Sequence, residues 1–252
     1  MQADEQLPGT VASDTSVGDT DGGHVHGDPG EGHTSKTVDQ SLTALRMLAV
    51  QMGGLVIDQV ASAVRALLAR DTRLAETVLS REPMVNAYDN RLDRETLEFI
   101  ALQQPVASDL RMVRALARTA LELERVGDES KKIARFAQRA SGSGAHDPVV
   151  AVAPYLRHMA ELSVTMLRGA VRAFDEGDAQ RARDVLARDR ELDAEFATAL
   201  RQLMSIVMQD QHFIQATIDT VFALKGLERI GDHAKNISEQ VLYMLGGERS
   251  AA

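Results

Sequence analysis

The chain has 252 residues, of which 44% are hydrophobic and 4% aromatic, and it contains neither Trp nor Cys. Without Cys there are no disulfides and no thiolate metal sites, so any bound metal needs oxygen or imidazole ligands. The formal net charge of −9 does not provide the basic surface of nucleic-acid-binding proteins, and we predict no direct nucleic-acid partner. Abundant Ala, Leu, Arg and Glu, with few strand-forming residues, predict an all-α fold.

The first 37 residues differ in composition from the rest of the chain. They carry seven acidic residues against one Lys and almost no large apolar residues, so they cannot bury enough surface to offset the entropy of ordering. We predict that residues 1–37 form a disordered acidic leader whose His residues do not bind metal. Neither a signal-peptide pattern nor a run of about 18 apolar residues is found, and we expect a cytoplasmic protein that meets the membrane only through partners.

A first three-helix bundle is predicted over residues 38–140. Apolar residues up to Leu68 keep the three-and-four spacing of one long amphipathic helix. Asp71 is expected to cap a second helix, which Pro83 interrupts and Pro105 ends. A third helix is predicted after this second proline.

A second bundle follows a Gly- and Ser-rich linker and repeats the first. We place the linker at residues 141–148, the second bundle at 149–247 and a tail at 248–252. The string Glu124-Arg-Val-Gly-Asp128 returns after 104 residues as Glu228-Arg-Ile-Gly-Asp232, and earlier stretches of the two halves match at an offset of 107. The repeat predicts two tandem three-helix bundles related by pseudo-two-fold symmetry.

Each copy of the repeated string places a Glu and an Asp four residues apart. On a helix, such residues share one face and lie roughly 6 Å from each other. Each copy also holds a glycine, Gly127 or Gly231, and a Gly inside a helix costs about 0.5 to 1 kcal/mol relative to Ala. Its recurrence indicates close approach by a neighbouring backbone or a ligand.

Further acidic residues lie one helix earlier. Asp189 and Asp193 are four apart in the second half, and Glu82 and Asn86 stand at the corresponding first-half positions, near a further pair at Asp89 and Asp93. Acidic pairs from adjacent helices can converge into an oxygen site for Mg, Ca, Mn, Zn or iron. The alternative is a solvated acidic face whose charge nearby lysines offset.

Other polar and apolar residues beside these acids have more ordinary interpretations. Arg125 and Arg229 are expected to pair with acids across the bundle rather than to bind phosphate. His233 follows Asp232 directly and is interpreted as a polar-face residue, because consecutive helix residues diverge by about 100°. Met204 and Met208 have the spacing of core residues.

Leu123-Glu-Arg-Val-Gly-Asp128 and Leu227-Glu-Arg-Ile-Gly-Asp-His-Ala-Lys-Asn-Ile237, within tandem helical units, resemble the PhoU family of phosphate-transport regulators over about residues 40–246. The resemblance implies two three-helix bundles whose paired carboxylates hold metal ions, sometimes several iron or zinc ions together. Magnesium and manganese are further candidates, because they too bind carboxylate oxygens. The ligands that it implies are Glu124, Asp128, Glu228 and Asp232, followed by Asp189 and Asp193. The acidic leader lies outside the family pattern.

The resemblance also implies a role. Such a protein is a cytoplasmic, usually homodimeric adaptor that couples the ATPase of a phosphate ABC transporter to a sensor histidine kinase. When phosphate is plentiful, it restrains the phosphate-starvation response and limits uptake. We therefore expect a regulator and not an enzyme.

Two alternatives predict different behaviour. A di-metal carboxylate enzyme of the ferritin-like class needs Glu-x-x-His motifs, and no Glu in this chain has His at the third following position. A metal-free helical scaffold would contain no metal after purification and would keep its regulation when Glu228 and Asp232 are replaced.

Overall fold

The computed structural model describes residues 29–139, 147–209 and 214–246, and the regular structure within these ranges is helical. The helices are α1 (Pro29–Ala69), α2 (Thr72–Ser80), α3 (Glu82–Gln103), α4 (Ala107–Arg139), α5 (Pro148–Ala151), α6 (Ala153–Glu176), α7 (Ala179–Gln209) and α8 (Ile214–Met244). Because every element in the described ranges is a helix, the all-α prediction is confirmed.

Helix α1 begins earlier than the composition of the leader predicts. It starts at Pro29, so the predicted leader overlaps α1 over residues 29–37, while residues 1–28 lie outside the described residues. Proline suits the first turn of a helix, and lengthening a formed helix needs no new nucleation. The bounds of the disordered leader stay a prediction.

The central part of α1 lies in the core of the protein. The stretch Lys36–Ala69 is long and apolar enough, by length and composition, to cross a membrane, although the sequence shows no uninterrupted apolar run of that length. Most of its most apolar window is buried inside the protein, and a core helix that is covered by its neighbours passes the same test.

The second helical stretch of the first half is broken where the sequence predicts it. The Asp71 carboxylate accepts a hydrogen bond from the Leu74 amide at 3.0 Å and caps α2. Arg81 separates α2 from α3, and Pro83 lies in the first turn of α3. Residue 190, the counterpart of Pro83, is Arg. As a result, α7 runs unbroken over 31 residues.

The end of the predicted linker is packed against the protein. Asp147 and Pro148 are buried, and the Asp147 carboxylate pairs with Arg70 and caps α5 by accepting from the Val149 amide at 2.9 Å. Of the predicted linker, residues 141–146 lie outside the described residues.

The two halves pack through equivalent helices. Helix α1 contacts α6, and α4 runs along α8, the most extensive contact between the halves. Their buried apolar side chains belong to one continuous core. Matched helices facing each other are what a pseudo-two-fold relation between the repeats produces.

Large apolar side chains are exposed where α3 meets α4 and where α7 meets α8. Met204 is 54% exposed and Met208 87%, so the prediction that both are core residues is wrong. A spacing of four residues predicts that Met204 and Met208 share a helix face, but it does not predict whether that face is buried. In this turn of α7, the buried residue is Leu203. The others around these two ends are Leu97, Ile100, Leu102, Val106, Leu110, Ile214, Ile218 and Phe222.

Candidate functional site

The recurrent glycines allow one helix to approach another closely. A Cβ at Gly127 would lie 3.2 Å from Cγ1 of Val85 on α3. A Cβ at Gly231 would collide with the side chain of Leu192 on α7. Val85 and Leu192 are 107 residues apart, so the same contact is made in both halves. In both halves, the close neighbour of the glycine is an apolar side chain of the adjacent helix. This close packing of the two helices brings their acidic residues together.

A first-half cluster forms where α3 crosses α4. It comprises Glu82, Asp89, Glu124 and Asp128. The Lys131 ammonium donates to the Asp128 carboxylate at 2.8 Å and also to the Glu82 carboxylate. Lys131 is only 16% exposed in its side chain, so this cation is an integral part of the cluster. Glu82 and Asp89 are not among the ligands that the family resemblance implies.

The second-half cluster occupies the equivalent place between α7 and α8. It comprises Asp189, Asp193, Glu228 and Asp232, all of which the resemblance implies as ligands. Lys235, the counterpart of Lys131, donates to Asp189 Oδ2 at 2.6 Å, and Lys225 donates to Glu228 Oε1 at 2.5 Å. Glu228 Oε2 is buried and has no hydrogen-bond partner within the described part of the chain.

Burial and mutual repulsion shift the pKa values of groups in the first-half cluster. Burial, followed by repulsion from Asp128 and Asp89, raises the pKa of Glu124. Burial and then the Asp93 charge raise the pKa of Asp89. Burial alone would lower the pKa of Lys131, but its bonds to acidic partners outweigh that effect and raise it. The cluster therefore has more negative charge than its lysine neutralises.

The second-half cluster shows the same pattern. Burial, then the charges of Asp189 and Glu228, raise the pKa of Asp193. Burial, then the charges of Glu228 and Asp189, raise the pKa of Asp232. The hydrogen bond to Asp189 raises the pKa of Lys235. Each half thus concentrates carboxylates whose charges disfavour one another, an arrangement that a bound cation would relieve.

The two clusters are not identical. Asn86 replaces the aspartate found at Asp193. Phe196 stands at the counterpart of Asp89, where its ring lies 5.5 Å from the Lys225 ammonium. The two clusters therefore differ in their acidic residues and in the groups around them.

A polar groove of about 290 Å³ lies between α4 and α8. Asp128 and Asp232 both line it, so it connects the edges of the two clusters. Arg229 reaches across the groove to Glu129 at 3.4 Å, whereas Arg125 bonds Glu122 of its own helix at 3.3 Å. The predicted pairing across the bundle is confirmed for Arg229 only.

His233 joins the two halves and does not point toward the carboxylates of its own cluster. Its Nδ1 lies 2.7 Å from Glu122 Oε2, which also accepts a bond from the Asn236 amide at 3.0 Å. Burial would raise the pKa of Glu122, but these two bonds and the nearby positive charges outweigh it and lower the pKa. His233 is a polar contact across the α4–α8 interface, which agrees with its polar-face interpretation.

The donor chemistry of both clusters fits a hard cation. Carboxylate oxygens are the ligands that Mg²⁺, Ca²⁺ and Mn²⁺ prefer. Within residues 29–139, 147–209 and 214–246, however, no group of three His, Cys, Asp or Glu side chains stands in a metal-binding arrangement. Lysine ammoniums hold Asp128, Asp189 and Glu228 instead. A metal ion would have to displace these ammoniums, and metal binding by the six residues named from the sequence stays a prediction.

Comparison with known proteins settles the family. A model of the PhoU domain matches residues 49–137 and again residues 156–241. The chain belongs to the PhoU family. Each match falls within one half of the chain, and together they confirm both the predicted repeat and the resemblance seen in the repeated string.

Curated proteins and solved structures of the family resemble the chain over most of its length. A phosphate-specific transport system accessory protein PhoU homolog from Pseudomonas putida is 39% identical over 215 residues, covering 85% of this chain and 83% of the relative. The PhoU protein of Escherichia coli is 32% identical, covering 86% and 88%. The crystal structure of PhoU from Pseudomonas aeruginosa matches with a TM-score of 0.78 at 36% identity, covering 83% of this chain and 99% of that one.

Proposed function

We propose that this protein is a regulator of phosphate uptake that works as an accessory protein of a phosphate-specific transporter. Family membership carries the proposal, because curated relatives that are 32 to 39% identical over about 85% of the chain are named as accessory proteins of that transport system. The structural match to PhoU crystal structures supports it.

The proposed mode of action is that of a cytoplasmic adaptor. It would contact the transporter ATPase and a sensor histidine kinase, and it would restrain the starvation response when phosphate is plentiful. Exposed apolar side chains at the α3–α4 and α7–α8 ends support contact with other proteins, because clustered exposed apolar residues mark interaction surfaces. A homodimer is part of the same proposal.

Deletion of the gene tests the regulatory role. In phosphate-rich medium, deletion should derepress the genes for high-affinity phosphate uptake, and expression that stays low would contradict the proposal. Pull-down with the transporter ATPase and with the sensor kinase, using the Met208→Asp variant as a comparison, tests the adaptor role. This substitution changes only an exposed side chain, so weaker capture would locate the contact.

Metal binding by the two clusters is the second part of the proposal. The observation that carries it is the same group of mutually repelling carboxylates at the same place in both repeats. The ions would be held by the six carboxylates implied by the family resemblance and would stabilise the surface around the groove without performing chemistry. The candidates for the ion are iron, zinc, magnesium and manganese.

Elemental analysis of the purified full-length protein tests this part. The wild-type protein should contain metal, and a variant with Glu124→Gln, Asp128→Asn, Glu228→Gln and Asp232→Asn should not. Glu76→Gln is the matched control, because Glu76 is an exposed helical glutamate outside both clusters. Equal metal content in all three proteins would rule out these ligands.

A metal-free scaffold is the competing function, and one observation favours it. Lys131, Lys225 and Lys235 already donate to the clustered carboxylates, so an ion has to replace existing contacts. A purified protein without metal, combined with normal regulation by the fourfold variant, would establish the scaffold.

A further inference from the structure

A buried amide on α1 faces the first-half cluster. Gln59 is 2% exposed, and its Oε1 has no hydrogen-bond partner within the described part of the chain. Leaving a buried polar atom without a partner is costly, and such an atom calls for an explanation such as an ion or a water molecule. The acids of the cluster lie on α3 and α4, so Gln59 is an independent observation from a third helix.

The unpartnered oxygen borders a small cavity at the cluster. Gln59 lines this cavity together with Glu82, Glu124, Asp128 and Lys131. Its Oε1 lies 3.6 Å from the position that a Cβ of Gly127 would occupy. The cavity has a volume of about 10 Å³, which is room for one ion or water molecule.

The chemistry of this cavity selects a cation. An amide oxygen accepts hydrogen bonds and coordinates metals but does not repel a carboxylate as a further charge would. Lys131 donates to Glu82 and Asp128 and leaves the Gln59 oxygen unpaired. A cation at this place would contact the amide oxygen and the carboxylates at once.

The second half does not have this amide. At the offset of 107, Gln59 corresponds to Met166. Met166 occupies the matching place, because its Cε lies 3.6 Å from the position of a Cβ at Gly231. A thioether is a soft ligand that hard cations do not favour. The two halves therefore differ at this equivalent position of α1 and α6.

We propose that Gln59 is a ligand of a hard divalent cation of the Mg²⁺ or Mn²⁺ class, bound at the first-half cluster with Glu124 and Asp128. The second-half cluster, with Met166 in the equivalent position, lacks this ligand and has a different metal preference. The inference rests on the metal-binding part of the proposed function.

Titration of the full-length protein with Mn²⁺, followed by electron paramagnetic resonance of the free ion, tests this ligand. The site is isolated in a background with Asp189→Asn and Asp232→Asn. In that background, Gln59→Met should weaken Mn²⁺ binding by about tenfold or more, as the loss of groups that support a metal typically does. In the converse background, with Glu124→Gln and Asp128→Asn, Gln59→Met should have no effect.

Thermal unfolding without metal supplies an independent readout. Gln59→Met removes an unpartnered buried polar atom and introduces the residue found at this place in the other half. It should therefore raise the unfolding temperature of the metal-free protein. It should also reduce the increase in unfolding temperature that Mn²⁺ causes. Gln59→Glu provides a second variant, since an added carboxylate oxygen should tighten Mn²⁺ binding. Met166→Gln is the matched control and should leave the first-half site unchanged.

The outcomes separate this inference from the proposal on which it rests. If the wild-type protein binds no Mn²⁺ even when the ion is in large excess, the inference is overturned, and metal binding by the carboxylates is overturned as well if elemental analysis of the purified protein finds no metal. If the first-half site binds Mn²⁺ with the same affinity after Gln59→Met, or if Gln59→Glu fails to tighten binding, the ligand role of Gln59 is overturned and metal binding by the carboxylates stands.

Discussion

At the scale of single residues, the equivalent glycines of the two halves differ in how much space they leave for a larger side chain. Val85 leaves a narrow space above Gly127, whereas Leu192 fills the space above Gly231. Gly54 lies on the exposed side of α1, and no neighbouring atom is within 4 Å of the place that a Cβ would take there. These three helical glycines therefore separate the effect of helix propensity from the effect of packing.

Alanine at these glycines should change stability in a graded order. Gly54→Ala should stabilise by about 0.5 to 1 kcal/mol because Ala is the better helix former. Gly231→Ala should destabilise by about 1 to 3 kcal/mol because the new methyl group overpacks against Leu192. Gly127→Ala should fall between them. Urea unfolding measures all three, and equal effects at Gly54 and Gly231 would contradict the packing role.

The raised pKa of Asp232 has a consequence for stability at different pH values. A carboxyl whose pKa is raised in the folded state binds protons more readily when folded than when unfolded. Its ionised form therefore lowers the stability of the fold at pH values above the folded pKa, and this loss of stability disappears as the pH falls below the unfolded pKa. Asp232→Asn should therefore stabilise the metal-free protein at neutral pH, and the gain should shrink as the pH falls toward the unfolded pKa. Chemical unfolding of both proteins at several pH values across this range measures the difference in their free energy of unfolding.

Asp178 provides a control of opposite sign. The Arg181 amide, with the Gln180 amide, lowers the pKa of Asp178, so its contribution to stability is present above the unfolded pKa and is lost as pH falls through the folded pKa. Asp178→Ala should thus destabilise at neutral pH, and the difference from wild type should narrow in acid. Stabilisation by this variant at neutral pH would show that the sign argument fails.

At the scale of helices, the contact between α4 and α8 depends on a buried polar group. Glu122 lies within the apolar interface and binds His233 and Asn236 of the other half. This contact fixes the register of the two helices, because only one sliding position brings the carboxylate to both partners.

Glu122→Ala should therefore cost more than an ordinary surface substitution. Loss of the carboxylate leaves two partly buried partners without this acceptor, with an expected cost of about 1 to 3 kcal/mol. Glu76→Ala, at an exposed helical position, should stay within about 0.5 kcal/mol of wild type. Thermal and urea unfolding compare the two variants, and similar effects would mean that the interface does not need the Glu122 bonds.

At the scale of the whole molecule, the two repeats are not independent folding units. Equivalent helices face each other, and their side chains share one core. An isolated half would expose the apolar surfaces of two helices. Residues 1–146 and 147–252, expressed separately, should be unfolded or aggregated and should recover native helicity when expressed together. Circular dichroism and co-purification test this, and a folded monomeric half would refute the shared-core argument.

Much of this architecture could be predicted from the sequence, because its signals are local. Apolar periodicity, the cap at Asp71 and the break at Pro83 each act within a few residues, and the repeat at fixed offset predicts two equivalent halves. The acids of the repeated string could be matched between the halves because they recur at a fixed offset, whereas of the cluster acids on α3 and α7 only Glu82 and Asp189 correspond.

Other features depend on packing that the sequence does not display. Gln59 lies more than sixty residues before the acids of the repeated string, and its unpaired oxygen becomes visible only when α1 is placed against α4. The exposure of Met208 depends on which face of α7 the neighbouring helices cover. The sequence shows the lysines as nearby charges, but their bonds to acids on other helices, such as Lys131 to Glu82, required the structure.

The break between α2 and α3 gives the two clusters different backbone surroundings. Glu82 is the first residue of α3, directly after the break, where free backbone amides favour an acidic side chain. Asp189, its counterpart, lies within the uninterrupted α7. Because helix ends fray and helix interiors do not, we expect the backbone that carries Glu82 to open more readily than the backbone that carries Asp189.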